Sequence, residues 1–158
     1  MSVIVARAEP ENVPVLLEML REFAEYEDLL EYCCASAESL EAALFGEDGF
    51  VRCLIAFVDD SAVGYAFYYP CYASFRGQRG FYLEDIFVRA DSRGAGVGHA
   101  LLSSIAREAR ALGFERMDFQ VLIWNTPAIK FYNRHGAVSN EDERHFKFAD
   151  AAFDALAG

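Results

Sequence analysis

A single α/β domain spanning residues 1–158 is the fold class that the sequence predicts, on three observations. Strand-length runs of β-branched and aromatic residues alternate with stretches whose apolar residues recur at helical spacing. A glycine-rich segment, Arg93-Gly94-Ala95-Gly96-Val97-Gly98, stands between the apolar run Phe81 to Val88 and the amphipathic run His99 to Leu112, where a strand hands over to a helix. The 158 residues, 54% apolar and 25% charged, suffice for a core without disulfides or a structural metal.

Each element has its own signal. Ser2 to Ala8, rich in valine and isoleucine, reads as the first strand. Pro10 suits the opening of a helix through Tyr26, with Val13, Leu16, Leu17, Leu20, Phe23 and Ala24 on one face and Glu11, Glu18, Glu22 and Glu25 on the other. Ser36 as N-cap and Gly46 as stop bracket a second helix, Ala37 to Phe45. Arg52 to Val58 and Ser61 to Tyr69 form a hairpin through Asp59-Asp60. Pro70 to Arg79 is predicted as a polar loop, and Gly80 to Val88 as the long central strand. The glycine segment and its helix follow, closed by Gly113. Glu115 to Leu122 is the predicted fifth strand. Thr126 and Pro127 open a helix through Arg134 that Gly136 closes, and Ala137 to Asn140 with Arg144 to Ala149 make a terminal hairpin.

The glycine segment carries the first functional signal. Alternating small residues let successive backbone N–H groups approach an anion, with the helix N-terminus adding partial positive charge behind them. The sixth position from Gly94 is His99, which excludes the dinucleotide fingerprint, and no Gly-Lys-Ser/Thr follows for a phosphate loop. The pattern Arg/Gln-x-x-Gly-x-Gly/Ala does fit, as Arg93, Gly96 and Gly98. It resembles the acetyl-CoA signature of the GNAT superfamily of N-acetyltransferases. Tyr82-Leu83-Glu84-Asp85-Ile86-Phe87-Val88 before the loop, and Trp124-Asn125, Phe131-Tyr132 and Gly136-Ala137 after it, resemble the diamine (spermidine/spermine) N-acetyltransferase branch.

The resemblance implies the GNAT fold: a mixed, mostly antiparallel sheet, splayed between its fourth and fifth strands and flanked by helices, with acetyl-CoA as acyl donor in the wedge. It implies a homodimer, with the first two helices lining the acceptor side. Main-chain groups of Phe87 and Val88 would pair with the pantetheine arm. Backbone N–H groups from Gly94, Ala95, Gly96, Val97 and Gly98 would take the diphosphate, beside Arg93 and His99. Tyr132 would be the general acid, a phenol of ordinary pKa about 10 that stays protonated until it delivers its proton to the departing thiolate. Asn125 either hydrogen-bonds the cofactor arm or caps the next helix.

Glu84 is the candidate base, acting through a water on the incoming ammonium, with Asp85 orienting it. Neighbours on a strand point to opposite faces, so Glu84 and Asp85 share a cleft only if a bulge turns the chain. A carboxylate inside such an apolar run must be paired, hydrogen-bonded or functional. No serine elbow or cysteine–histidine nucleophile motif is present, which agrees with direct attack by the amine in a ternary complex.

Charge points to the acceptor. The chain carries a net charge of −11, all of it within residues 1 to 60, where three Arg/Lys face fourteen Asp/Glu. Glu25, Tyr26 and Glu27, with Asp28 and Glu31, offer carboxylates that draw in a small cationic amine, and the same surface disfavours nucleic acid. No apolar stretch reaches the roughly 18 to 20 residues of a membrane span, and no N-terminal signal is evident, so a cytoplasmic location with no membrane partner is expected. Cys33, Cys34, Cys53 and Cys71 lack paired spacing and read as reduced thiols. His99, His135 and His145 are too scattered for a metal motif, so no metal is expected. Tyr72 to Arg76 and Ile123 replace acidic residues and a tryptophan of the resembled branch, which makes a lysine-like acceptor as plausible as a diamine or polyamine. A protein lysine or N-terminal acetyltransferase, or a non-catalytic acyl-CoA sensor, are the alternatives.

Overall fold

Period-two alternation of valine, isoleucine and aromatic residues builds a five-stranded sheet. The computed structural model describes residues 2–158, with β1 (Val3–Arg7), β2 (Arg52–Val58), β3 (Ser61–Ala73), β4 (Gln78–Val88) and β5 (Arg116–Phe119) in the spatial order β1-β2-β3-β4-β5. The first three pairings are antiparallel and β4 with β5 is parallel. The helices are α1 (Val13–Tyr26), α2 (Ala37–Phe45), α3 (Val97–Ala111), α4 (Thr126–Arg134) and α5 (Asp150–Ala157). Two compact units divide the chain, the first ending at Gln120 and the second running from Val121 to Gly158.

In the first unit both faces of the sheet are covered. Cys53, Ile55, Tyr65, Phe67 and Phe87 pack with Val13, Leu16 and Met19 of α1 and Leu40 of α2. Strand alternation sends Leu54, Ala66 and Tyr68 to the opposite face, where α3 buries Val97, Leu101, Ile105 and Ala109. Glu108 of α3 fixes that packing: it accepts from Arg7 at 2.8 Å, from Arg52 at 2.5 Å and from the Tyr68 hydroxyl at 2.5 Å, tying the helix to three strands. On the α1 side, Arg89 at the end of β4 binds Glu18 at 2.5 Å and Glu22 at 2.7 Å. All four cysteines carry free thiols. The β2–β3 hairpin turns through Asp59 and Asp60, both at positive φ (47° and 62°), the geometry a two-residue hairpin loop requires.

Several expected boundaries move, each for a local reason. The helix expected from Pro10 begins at Val13, after a 3-10 turn over Pro10–Asn12. Pro14 has no N–H to offer the Pro10 carbonyl, so the first α-helical bond cannot form there. Pro70 to Arg79 is not a loop: β3 runs on to Ala73, β4 starts at Gln78, and only Ser74 to Gly77 turn. β2 pairs with β3 only as far as Tyr68, so Pro70 sits on an edge, where a missing N–H is tolerated. α3 starts at Val97 rather than His99, with Gly96 at φ 82° as its N-cap.

The fifth strand is Arg116–Phe119, not Glu115 to Leu122, because it pairs only with Gly80 to Leu83 of β4. The close approach is set by Gly80, where a Cβ would stand 2.4 Å from the Arg116 carbonyl oxygen. Beyond Leu83 β4 continues without β5, and this is the splay. In the second unit the expected terminal hairpin is absent: residues 137–149 contain no strand, with Val138 and Phe146 94% and 85% exposed. Alternating side chains alone do not make a strand without a sheet to pair with. The alanine-rich end forms α5 instead.

Candidate active site

A bulge places the two carboxylates. Phe67 pairs with Asp85 and Tyr68 with Leu83, so Glu84 is the residue left over on β4, at the point where β5 ends. One extra residue cancels the alternation that would separate neighbours. Both side chains therefore meet tyrosines from the same face of β3: the Tyr69 hydroxyl donates to Glu84 at 2.9 Å and the Tyr65 hydroxyl to Asp85 at 3.3 Å. The bulge on which a shared face depends is present, and the partners of the two carboxylates are Tyr65 and Tyr69, which no motif singled out. The period-two run Tyr65-x-Phe67-x-Tyr69, opposite the carboxylates, is the signal that could have found them.

The two carboxylates differ in setting. Glu84 is exposed, whereas Asp85 keeps only part of its surface and its carboxyl is shielded. Burial, then the charge of Glu84 and more weakly that of Glu27, push the Asp85 carboxyl from an ordinary 3.8 up to about 7, against the opposing pull of the Tyr65 hydrogen bond. Tyr65 and Tyr69 are raised by burial and by the same carboxylates, so both stay phenols and donors. Glu27, at the C-cap of α1, is itself raised by burial. Three carboxylates thus act on one place. Glu25 lies elsewhere, along a shallow groove with Leu17, Glu18, Arg21 and Glu22, so the acidic run at the end of α1 is divided between two surfaces.

The glycine loop follows β4 directly. Gly94 and Gly96 have φ of 81° and 82°, and a Cβ at either would find nothing within 4 Å. The loop is open on that side, and the first turn of α3 presents N–H groups that a helix leaves without internal partners. These features fit a diphosphate. Arg93 does more than lend charge. Its Nε donates to the Val88 carbonyl at 2.9 Å, and its guanidinium lies over the Tyr26 ring, 4.6 Å from the centroid, and 5.9 Å from that of Phe87. It fastens the loop both to the end of β4 and to the end of α1. Phe87 in turn stacks on Phe23 at 5.4 Å. His99 Nε2 lies 3.3 Å from Ser103 Oγ, one turn on in α3.

In the second unit, Asn125 caps α4: its Oδ1 accepts from the Ala128 N–H at 3.3 Å, opening the helix beside Pro127. Tyr132 is buried, at 8% exposure, and packs edge-on to Phe131 with centroids 5.3 Å apart. Among the described residues no cluster of three His, Cys, Asp or Glu is placed to hold a metal, and no helix is long and apolar enough to cross a membrane.

Comparison with known proteins places this architecture. Residues 15–137 match the acetyltransferase (GNAT) family. The chain is 35% identical to a thialysine N-epsilon-acetyltransferase of Sus scrofa, covering 99% of this chain and 98% of that protein. It is 33% identical to spermidine/spermine N(1)-acetyltransferase-like protein 1 of Homo sapiens, over 91% of this chain and 22% of that one. An integron cassette protein from the mobile metagenome of V. cholerae superposes with a TM-score of 0.82 at 26% identity, covering 99% and 98% of the two chains. The matched family, the relatives of the diamine branch and the sheet that splays after Leu83 agree: the chain belongs to the GNAT family of acetyltransferases.

Proposed function

We propose that this N-acetyltransferase moves acetyl from acetyl-CoA to the primary amine of a small cationic acceptor, lysine-like or a diamine, by direct attack in a ternary complex. The observation that carries the reading is the bulge at Glu84, which turns two adjacent carboxylates to one face, with the charge of Glu27 acting on the inner one. An ammonium is the ligand such a place attracts, and an ammonium must lose a proton before it can attack. The names of the relatives, thialysine and spermidine/spermine acetyltransferases, support an amine of this class.

Each residue then has a part. Backbone N–H groups from Gly94 to Gly98, with Arg93 and His99, hold the diphosphate, and main-chain groups of Phe87 and Val88 take the pantetheine arm. When bound, acetyl-CoA supplies the activated acyl group. Glu27, Glu84 and Asp85 hold and deprotonate the acceptor, with Tyr26 beside them. Tyr132 protonates the departing sulfur, and Asn125 sets the start of the helix that carries it. We place the reaction in one catalytic domain spanning the chain, in the cytoplasm, working as a homodimer as the resemblance implies.

The test is CoA release by the purified protein against a panel of amines: thialysine, lysine, ornithine, putrescine, spermidine, neutral amino acids and a lysine-containing peptide. Turnover with the small cationic members is expected. Turnover confined to the peptide, or acetyl-CoA binding with no turnover of any amine, would overturn the reading.

A further inference from the structure

One residue of β4 is left over in its register against β3, and that residue is a carboxylate with a second carboxylate directly behind it. Glu84 is exposed and held by Tyr69, whose ring stacks on Tyr82 at 5.4 Å and meets Phe50 edge-on at 5.6 Å. Asp85 is shielded and held by Tyr65, a residue with no exposed surface. The groups that act on this inner pair are Glu84 on β4 itself, Tyr65 on β3, Cys53 on β2, Cys33 after the 3-10 turn Leu30–Tyr32, and Glu27 at the end of α1. All are neutral or anionic. Burial and a second carboxylate one residue away favour a retained proton on this pair, as like charges do when they share a site, while Arg93, the cation at the end of α1, sits over the Tyr26 ring. The better-shielded member is the one that keeps it.

We propose that Asp85 is the group that finally receives the acceptor's proton, while Glu84 stays ionised as the outer carboxylate that captures the ammonium and passes the proton inward. This rests on the reading of the chain as an amine acetyltransferase. One proton leaves the ammonium, by way of a water at Glu84, for the Asp85 carboxylate. The freed lone pair forms the C–N bond as the C–S bond breaks. The nitrogen's second proton goes to solvent, the departing sulfur takes its proton from Tyr132, and solvent restores Tyr132 and discharges Asp85. The sum is one proton released per acetyl transferred. A proton acceptor that titrates close to the working pH suits this role, because it is both available as a base and ready to let go. Asp85, raised to about 7, meets that condition.

The experiment is the pH dependence of kcat/KM for the most active amine, read beside the melting temperature and acetyl-CoA affinity of each variant. The wild type should lose activity on the acid side with a midpoint near 7. Asp85→Asn should lower kcat roughly 100- to 10,000-fold and abolish the acid limb while leaving acetyl-CoA affinity unchanged. Glu84→Gln should chiefly raise the acceptor KM and move the limb to lower pH, because the charge that raises Asp85 is gone. Tyr65→Phe should move it to higher pH, because a bond that favours the carboxylate is gone, and Asp85→Glu should restore part of the rate. A limb that survives in Asp85→Asn and vanishes in Glu84→Gln would overturn the assignment. Carbon-13 titration of the Asp85 carboxyl in the unliganded protein judges the site independently of any acceptor. A midpoint near 7 supports the pair, and one in the ordinary range near 4 defeats it even if amines are acetylated. Absence of amine turnover would instead defeat the functional reading, and the proton's route with it.

Discussion

Replacing Asp85 with asparagine is expected to stabilise the protein above neutrality while disabling it. The folded chain holds the Asp85 carboxyl at about 7, against 3.8 when the group is unperturbed. Between those values the folded state keeps a proton that the unfolded chain has released, so stability falls as pH rises through the window and is lowest above it. Three units of difference correspond to at most about 4 kcal/mol, an upper limit because the residue retains some accessible surface. Asparagine is nearly isosteric with the protonated acid and never ionises. Its advantage over the wild type should therefore grow by roughly 2–3 kcal/mol between pH 5 and pH 8. In a chain of this size that is on the order of 4–12 °C in melting temperature. Urea or thermal unfolding of both proteins at the two pH values reads the difference directly. An asparagine variant less stable than wild type at pH 8, or a difference that does not change with pH, would refute the reasoning.

Other expectations concern the loop, the acid and the scaffold. Gly96→Ala meets no neighbour within 4 Å, so only the left-handed backbone opposes it, at about 1–2 kcal/mol. On the proposed reading, its Cβ would stand in the path of the diphosphate. Acetyl-CoA at a hundred times its Kd should stabilise the wild type by about 2.7 kcal/mol and the variant far less, and an undiminished shift would mean that the diphosphate binds elsewhere. Tyr132→Phe should cut turnover roughly 10- to 10,000-fold with acetyl-CoA affinity unchanged; unaltered turnover removes the hydroxyl from the chemistry. Glu108→Ala should lower stability by about 2–3 kcal/mol in urea unfolding. That is less than a fully buried pair would lose, because the side chains of Arg7 and Arg52 are 68% and 32% exposed. A change within 0.5 kcal/mol would mean that α3 is held by apolar packing alone.

Sequence legibility followed how local each determinant is. The second helix Ala37–Phe45, the Asp59-Asp60 turn, and the ends of the first helix at Tyr26 and of the strand before the glycine loop at Val88 are written in short-range signals, and they stand where those signals put them. At Glu84 and Asp85 alternation set only the condition, that adjacent carboxylates share a face if a bulge turns the chain, and left open whether the bulge is there. What escaped depends on neighbours distant in sequence. Pro70 is tolerated in β3 because β2 has already ended, β5 stops at Phe119 because β4 turns away, and residues 137–149 lack a strand partner. The contrast between Glu84 and Asp85 was likewise invisible. It depends on tyrosines 20 and 15 residues upstream and on Glu27 far earlier, which decide which carboxyl is shielded and which is not. Arg93 was legible as a charge beside the loop, but its bond to the Val88 carbonyl and its seat on Tyr26 were not.

The most direct test of the central claim, that an amine deprotonated at the β4 carboxylates attacks the acyl group itself, is a grid of initial rates varying acetyl-CoA and thialysine together. Direct attack in a ternary complex predicts reciprocal plots that intersect. Parallel lines, the mark of an acyl group parked first on the protein, would contradict the account.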